Sequence, residues 1–295
     1  MCDDITELEN QGFFAEKPPK TRREFNLMAG GAAISLAFAG CAPAESSSDI
    51  IGEDVIINTP DGPADAYFAR PATGKHAAVL VWPDIMSLRP AFKMMANRLA
   101  KDGYAALVIN PYYRSGKAPF IKPGDTFRTP GVREIVFPLR KTLTQATNRA
   151  DTNRFIDWLD AQPSVDTSRK IGTTGYCMGG PMTMIAAAER ADRIGAGASF
   201  HGGGLVTEND DSPHLLIPKM SASYLVAIAD NDDQRAPEDK NTLRAAFDAA
   251  GRAAEIEVYK GAQHGWCPPD SHVYDEALAN KAWEHKLALF KGALA

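Results

Sequence analysis

A cysteine flanked by glycines occurs where an apolar segment gives way to a run of small residues. The sequence reads Gly175-Tyr176-Cys177-Met178-Gly179-Gly180. Such a pattern is typical of a nucleophile elbow, because glycines permit the tight strand-to-helix turn that raises the central side chain above a sheet. The helix N-terminus that follows favours a thiolate over a thiol. We predict that Cys177 is a nucleophile. The alternative, a structural cysteine beside a phosphate-binding loop, lacks the P-loop lysine.

A cysteine nucleophile needs a base, and the base needs a group that orients it. Of the six histidines, His264 is in the loop that follows the last predicted strand. The acid is expected after the apolar segment Leu225–Ala229, where Asp230, Asp232 and Asp233 supply three carboxylates. Position alone leaves the choice among these carboxylates open, since Asp is also favoured at turns and helix starts.

Strands and helices alternate along the chain beyond residue 50. Strands are predicted near 54–58, 66–69, 77–82, 105–109, 170–175, 196–200, 225–229 and 256–259. Helices are predicted near 89–102, 150–161, 179–191, 237–250 and 274–294. The alternation over ~240 residues predicts one three-layer α/β domain, a mostly parallel sheet with helices on both faces. Ligand sites in such sheets lie at the carboxyl ends of the strands. Residues 115–140 show no clear periodicity, and we interpret them as an excursion over the sheet that could act as a lid.

The N-terminal segment carries an export pattern. Arg22 and Arg23 precede the uncharged run Ala29–Gly40, which is too short to span a bilayer. This pattern indicates a twin-arginine export signal over residues 1–44, a periplasmic location and the twin-arginine machinery as a partner. The alternative is a buried helix with a chance arginine pair. Small residues before Cys41 resemble a lipoprotein cleavage site, whereas residues 42–44 suit ordinary cleavage. Membrane association is expected only if Cys41 is lipidated.

Composition narrows the function classes. The chain of 295 residues has 32 Lys and Arg against 37 Asp and Glu, a formal net charge of −5. A mildly acidic chain without a basic run has no general attraction to nucleic acid. The four cysteines are too scattered for a disulfide scaffold or a zinc site. Cys267 is expected to be a packed thiol, with a disulfide to Cys177 as the alternative.

Three segments together resemble one family. The elbow around Cys177, the loop Pro83-Asp84-Ile85 and the loop His264-Gly265-Trp266 are similar to those of the dienelactone hydrolase (carboxymethylenebutenolidase) family. The resemblance covers roughly residues 51–295 and implies an α/β-hydrolase fold for residues 45–295. The order of nucleophile, acid and histidine along the chain agrees with that fold.

The resemblance also implies roles for particular residues. The family's triad is Cys, Asp and His, and its strand-turn-Asp pattern selects Asp232, with Asp233 as the close alternative. The backbone N–H groups of Met178 and Ile85 would form the oxyanion hole. Asp84 occupies the place of an acidic residue, usually Glu, near the resting nucleophile.

The implied reaction is hydrolysis of a small-molecule ester or lactone through an acyl-enzyme, without a metal or organic cofactor. Tyr112, Arg114 and His201 follow strands and are candidate substrate contacts, and Trp266 offers apolar surface. Two other readings stay open: a non-catalytic exported binding protein, and an acyltransferase or peptidase on the same fold.

The sequence after His264 departs from the family pattern, and this departure bears on the charge of the substrate. Family members that act on dienelactones resemble one another in placing an Arg shortly after the catalytic His, where it matches a substrate carboxylate. Here the segment from His264 to Asp270 contains no Arg or Lys, and Asp270 would repel an anion. Arg114 or Arg128 could substitute from other loops. We predict a preference for neutral esters or lactones.

Overall fold

A computed structural model describes residues 49–295, so the predicted export segment and Cys41 lie outside the described residues. Eight strands form one sheet in the order β1-β2-β4-β3-β5-β6-β7-β8. The strands are β1 Ile50–Thr59, β2 Gly62–Pro71, β3 Ala78–Trp82, β4 Ala105–Ile109, β5 Ile171–Tyr176, β6 Ile194–Phe200, β7 Ser223–Ala229 and β8 Ala254–Tyr259.

Helices connect the parallel strands and cover the sheet. They are α1 Pro90–Lys101, α2 Val132–Lys141, α3 Gln145–Asp160, α4 Gly179–Glu189, α5 Asp230–Arg235, α6 Asp239–Ala249 and α7 Glu276–Ala293. A 3₁₀-helix spans Pro213–Lys219. Within residues 49–295, no helix is both long and apolar enough to cross a membrane.

The sheet is parallel except at one edge. β1 and β2 form an antiparallel hairpin closed between Thr59 and Gly62, and β2 pairs antiparallel with β4. The remaining pairs, from β4–β3 to β7–β8, are parallel. The mostly parallel sheet predicted from the alternation is therefore confirmed.

Both faces of the sheet are buried, which explains the continuous apolar runs of the central strands. Successive side chains of a strand point to opposite faces. In β3, Leu80 belongs to the core beneath α3 and α4, whereas Val81 belongs to the core beneath α1 and α7. These two cores separate the three predicted layers.

The structure differs from the sequence predictions between β4 and β5. Residues 115–140 are not an irregular excursion throughout, because α2 begins at Val132. The sequence did not predict this helix because Pro138 lies inside it, and a proline usually ends or kinks a helix. α3 begins at residue 145 rather than 150, since Thr144 and Thr147 form a capping box there.

Candidate active site

The predicted elbow joins β5 to α4 at the carboxyl edge of the sheet. Cys177 is 2% exposed and has a φ of +52°, in the left-handed region that non-glycine residues seldom adopt. A Cβ on Gly175 would lie 2.1 Å from the carbonyl oxygen of Gly179, and a Cβ on Gly179 would lie 2.2 Å from that of Trp82. Both glycines are thus required by close backbone approaches, and the turn between them projects the thiol into a pocket.

His264 lies in the loop after β8 and reaches a carboxylate on α5. Its Nδ1 is 2.7 Å from Oδ2 of Asp232, and because a carboxylate only accepts, the imidazole N–H donates. The backbone N–H of His264 also donates to Oδ1 of Asn231 at 2.9 Å. Two neighbouring residues of α5 therefore hold both the ring and the backbone of this histidine.

The other two carboxylates on α5 have different partners. Asp230 accepts from Nζ of Lys260 at 2.9 Å and from a backbone N–H at 3.0 Å. Asp233 accepts from Nζ of Lys240 at 2.5 Å. The structure therefore places Asp232, rather than Asp230 or Asp233, against His264.

The charges around His264 favour its protonated form. Burial lowers the pKa of the imidazole, but the charges of Asp232 and Cys177 outweigh burial and raise that pKa to about 10. Burial alone would raise the pKa of Asp232, yet the charge and hydrogen bond of His264 hold it below its usual value. The protonated form of His264 is therefore favoured near neutral pH.

A second histidine borders the nucleophile. The ring centroid of His201 lies 5.0 Å from that of His264 and 5.1 Å from that of Trp266. The side chain is 1% exposed, and burial lowers its pKa more than the neighbouring Cys177 raises it. His201 thus lies in the pocket as a neutral imidazole.

The two backbone amides expected to bind an oxyanion follow the carboxyl ends of the adjacent parallel strands β3 and β5. Within residues 49–295, neither the N–H of Ile85 nor that of Met178 has a hydrogen-bond acceptor. The hydroxyl of Tyr112 donates to the carbonyl of Ile85 at 2.9 Å and lies 3.1 Å from the sulfur of Met178. The hydroxyl of Tyr112 therefore contacts both residues. It does not line the pocket, in contrast to its expected role as a substrate contact.

Arg89, which the sequence patterns did not reveal, joins two loops at the pocket. Nη1 and Nη2 donate to Asp84 at 2.6 and 2.9 Å, while Nε and Nη2 donate to Asp270 at 2.7 and 2.9 Å. Nη1 also donates to the carbonyl of Ser87 at 3.3 Å. These bonds engage all five N–H groups of the guanidinium. The sequence did offer one signal for the position of Arg89, because the proline that follows it, Pro90, is typical of the first residue of a helix.

Asp84 and Cys177 line the same pocket. Burial raises the pKa of the Asp84 carboxyl more than Arg89 lowers it, and the charge of Cys177 raises it further. The pKa of Asp84 therefore depends in part on the charge of Cys177.

The nucleophile pocket has a mixed lining with little net charge. Its lining residues are Asp84, Ile85, Met86, Arg89, Thr126, Phe127, Cys177, His201, His264, Gly265, Asp270, Ser271 and His272. Among residues 49–295, Arg89 is the only Lys or Arg in this lining.

Besides Tyr112, two expected substrate contacts lie outside this pocket. Arg114 pairs with Asp61 and Asp151, which satisfy its charge away from the nucleophile. Trp266 is fully buried and stacks on Tyr259 with ring centroids 5.3 Å apart, so its side chain packs in the core and does not line the pocket. His201 is the candidate contact that does line the pocket.

Cys267 is a packed thiol. It is 7% exposed, and burial raises its pKa well above the usual value. Cys177 and Cys267 are both free, so the alternative of a disulfide between them is excluded.

A group with metal-ligand character occurs elsewhere on the sheet. Glu255, Glu257 and His285 have ligand atoms within 4.8 Å of one another, and they are the only such group among residues 49–295. Lys281 already pairs with Glu257, and His285 pairs with Glu255. The group belongs to β8 and α7 and does not line the nucleophile pocket.

The sheet order, the elbow at the end of β5 and the histidine loop after β8 define an α/β-hydrolase. The profile of the Dienelactone hydrolase family matches residues 64–294. The chain therefore belongs to the dienelactone hydrolase family, and it is an ester or lactone hydrolase of that family.

Individual relatives agree with this assignment. A Salmonella typhi protein provisionally named a carboxymethylenebutenolidase is 26% identical over 270 residues, which cover 85% of this chain and 94% of that protein. A Yersinia pestis protein of the same provisional name is 28% identical, with 76% and 82% covered. The crystal structure of a Klebsiella pneumoniae protein provisionally named a dienelactone hydrolase superposes with a TM-score of 0.70 at 25% identity. That comparison covers 82% of this chain and 99% of the Klebsiella chain.

Proposed function

We propose that this protein hydrolyses neutral carboxylic esters or lactones with a triad of Cys177, His264 and Asp232. The observation that carries the proposal is the 2.7 Å contact between His264 and Asp232 beside a cysteine at the elbow. A nucleophile, a base and an orienting acid in one pocket match the requirements of acyl transfer.

The first half of the reaction forms the acyl-enzyme. Sγ of Cys177, as a thiolate, attacks the carbonyl carbon, and the carbonyl oxygen takes up the negative charge. The free N–H groups of Ile85 and Met178 stabilise this oxyanion. When the tetrahedral intermediate collapses, Nε2 of the protonated His264 donates its proton to the departing alkoxide. An alcohol leaves, or the ring opens in a lactone.

The second half releases the acid. The neutral His264 accepts a proton from water as the water attacks the thioester carbonyl. The intermediate then expels the Cys177 thiolate and leaves the protonated imidazole for the next cycle. Asp232 keeps the Nδ1–H of His264 in place, so that Nε2 faces the reacting atoms in both halves.

The preference for neutral substrates is supported by the saturation of Arg89. All five of its N–H groups are bonded to Asp84, Asp270 and the carbonyl of Ser87. A substrate carboxylate in the nucleophile pocket would have to displace one of these partners. The negative charges of Asp84 and Asp270, which line the same pocket, would also repel it.

The test compares kcat/KM for p-nitrophenyl acetate with that for a carboxylate-bearing dienelactone, in the wild type and in Cys177→Ala. We expect turnover of the neutral ester to exceed that of the dienelactone and to disappear in Cys177→Ala. Equal turnover by wild type and Cys177→Ala would contradict the cysteine mechanism. A preference for the dienelactone would contradict only the proposal about charge.

We also propose export by the twin-arginine route, with residues 1–44 as the signal and the periplasm as the destination. The support is the sequence around Arg22 and Arg23 alone. A mass spectrum of the mature N-terminus distinguishes cleavage with lipidation at Cys41 from ordinary cleavage after the small residues that follow it.

A further inference from the structure

A large cavity adjoins the nucleophile pocket. The pocket at Cys177 encloses about 50 Å³, whereas the neighbouring cavity, which we call the distal cavity, encloses about 980 Å³. The two share the lining residues Arg89, Thr126, Asp270, Ser271 and His272. Typical ligand sites measure ~300–1,000 Å³, so only the distal cavity has room for a ligand of substantial size.

We propose that the distal cavity holds the non-reacting part of an extended, neutral and largely apolar ester or lactone. This inference rests on the proposed function, because it assigns the reacting carbonyl to Cys177. The reacting bond then lies in the small pocket, and the remainder of the substrate passes the Arg89–Asp270 ion pair.

The walls of the distal cavity are built from ordered structure. One wall is residues 54–56 of β1, another is the start of α1, and a third is the segment from Lys117 to Thr126. Buried Asp65 anchors the third wall, since its Oδ2 accepts from the N–H of Ala118 at 3.0 Å. Its Oδ1 accepts from Asn110 at 2.8 Å. The start of this segment is therefore tied to the sheet.

The charges of the distal cavity balance. Four basic residues line it, and so do four acidic ones. The basic residues are Arg89, Lys93, Lys117 and Lys122, and the acidic residues are Asp54, Asp65, Asp125 and Asp270. Arg89 pairs with Asp270, and Lys93 pairs with Asp54. Because burial lowers the pKa of His272 to about 4, this residue adds no charge at neutral pH.

The remaining lining offers apolar surface to a ligand. Val55, Ile56, Leu88, Ala91 and Ile121 all border the distal cavity. Ile56 is 54% exposed, so much of its apolar surface is available to a ligand. A neutral, apolar group that covers these side chains gains hydrophobic stabilisation without breaking an ion pair. Full burial of one methylene corresponds to a gain in affinity of up to roughly fourfold.

The experiment measures kcat/KM along two series of neutral esters. The acyl side is extended from p-nitrophenyl acetate to the butyrate and octanoate, and the alcohol side from phenyl acetate to 2-naphthyl acetate. We expect kcat/KM to rise at least tenfold along one series, and that series identifies the group in the distal cavity. Flat or falling values along both series would overturn the inference. Absence of any turnover of p-nitrophenyl acetate would instead refute the proposed function.

A cavity-filling variant with a matched control tests the location. Val55→Trp enlarges a residue that lines the distal cavity, on an edge strand, where aromatic residues are common. Ile51→Trp, on the same strand and 39% exposed, does not line the cavity. Val55→Trp should reduce the advantage of the favoured long ester over acetate about tenfold, whereas Ile51→Trp should preserve it.

A second filling variant guards against misfolding. If circular dichroism shows that Val55→Trp is unfolded, Lys117→Trp fills the cavity from its exposed rim. An unchanged preference in a folded filling variant would place the long group elsewhere and overturn the inference.

Discussion

Replacement of Asp232 by Asn tests the proposed triad most directly. The amide has the shape of the carboxylate, but its NH₂ group can donate a hydrogen bond. The ring of His264 can then turn its unprotonated Nδ1 toward the amide and its proton toward the nucleophile. In a serine protease triad the same change lowers kcat by about 10⁴, which corresponds to ~5.4 kcal/mol of activation free energy. We expect a fall of ~10³–10⁴ here, since Oδ2 of Asp232 is the carboxylate atom 2.7 Å from Nδ1.

The assay is hydrolysis of p-nitrophenyl acetate, with two neighbouring variants as controls. Asp230→Asn and Asp233→Asn change the same charge on the same helix, but these carboxylates bond to Lys260 and Lys240 instead of His264. Both controls should retain activity within about threefold, as expected for partly exposed ion pairs. A large loss in Asp233→Asn with none in Asp232→Asn would refute the assignment.

The same variant makes a prediction about stability and pH. In the folded wild type, Asp232 and Cys177 raise the pKa of His264 from 6.5 to about 10 against the effect of burial. A raised pKa stabilises the fold fully below the unfolded value and loses this contribution as pH rises through the folded value. The stability advantage of wild type over Asp232→Asn should therefore be larger at pH 6 than at pH 10. Urea unfolding at a series of pH values measures it, and an advantage that grows from pH 6 to pH 10 would contradict the charge assignment.

Three further predictions follow from the geometry and from the sequence. Iodoacetamide should alkylate Cys177 faster than Cys267 near neutral pH, because burial raises the pKa of Cys267, and activity should be lost in proportion to the labelling of Cys177. Peptide mass spectrometry measures both rates, and equal rates would contradict the mechanism. Tyr112→Phe should lower kcat about tenfold with little change in KM, because the hydroxyl contacts the two proposed oxyanion residues and does not line the pocket. A change in KM alone, measured with p-nitrophenyl acetate, would indicate that Tyr112 is a substrate contact. Lysine at both Arg22 and Arg23 should retain the protein in the cytoplasm, and cell fractionation that still finds it in the periplasm would disprove the export proposal.

The sequence predicted most of the fold because its central strands are short apolar runs between turns. β3 and β4, for example, were recognisable because both faces of each strand are buried. The helix α2 was missed because Pro138 interrupts its pattern and few of its residues face the core. Local patterns reveal elements with a regular buried face, and α2 has a small one.

The site was predictable where it depends on local turns and not where it depends on distant partners. The elbow at Cys177 follows from neighbouring glycines, which a sequence displays directly. Position alone did not separate Asp232 from Asp233, because both follow the same strand, and only the family resemblance selected Asp232, which is the carboxylate in contact with His264. Arg89 was missed because one of its partners, Asp270, lies 181 positions further along the chain.

The double bridge of Arg89 has a mechanical consequence. Asp84 precedes Ile85, a proposed oxyanion residue, and Asp270 is in the loop that begins at His264. The buried guanidinium of Arg89 donates hydrogen bonds to both carboxylates and therefore links the two loops directly. The proposed oxyanion site and the histidine loop are thus joined by a bridge of side chains that does not run through the sheet.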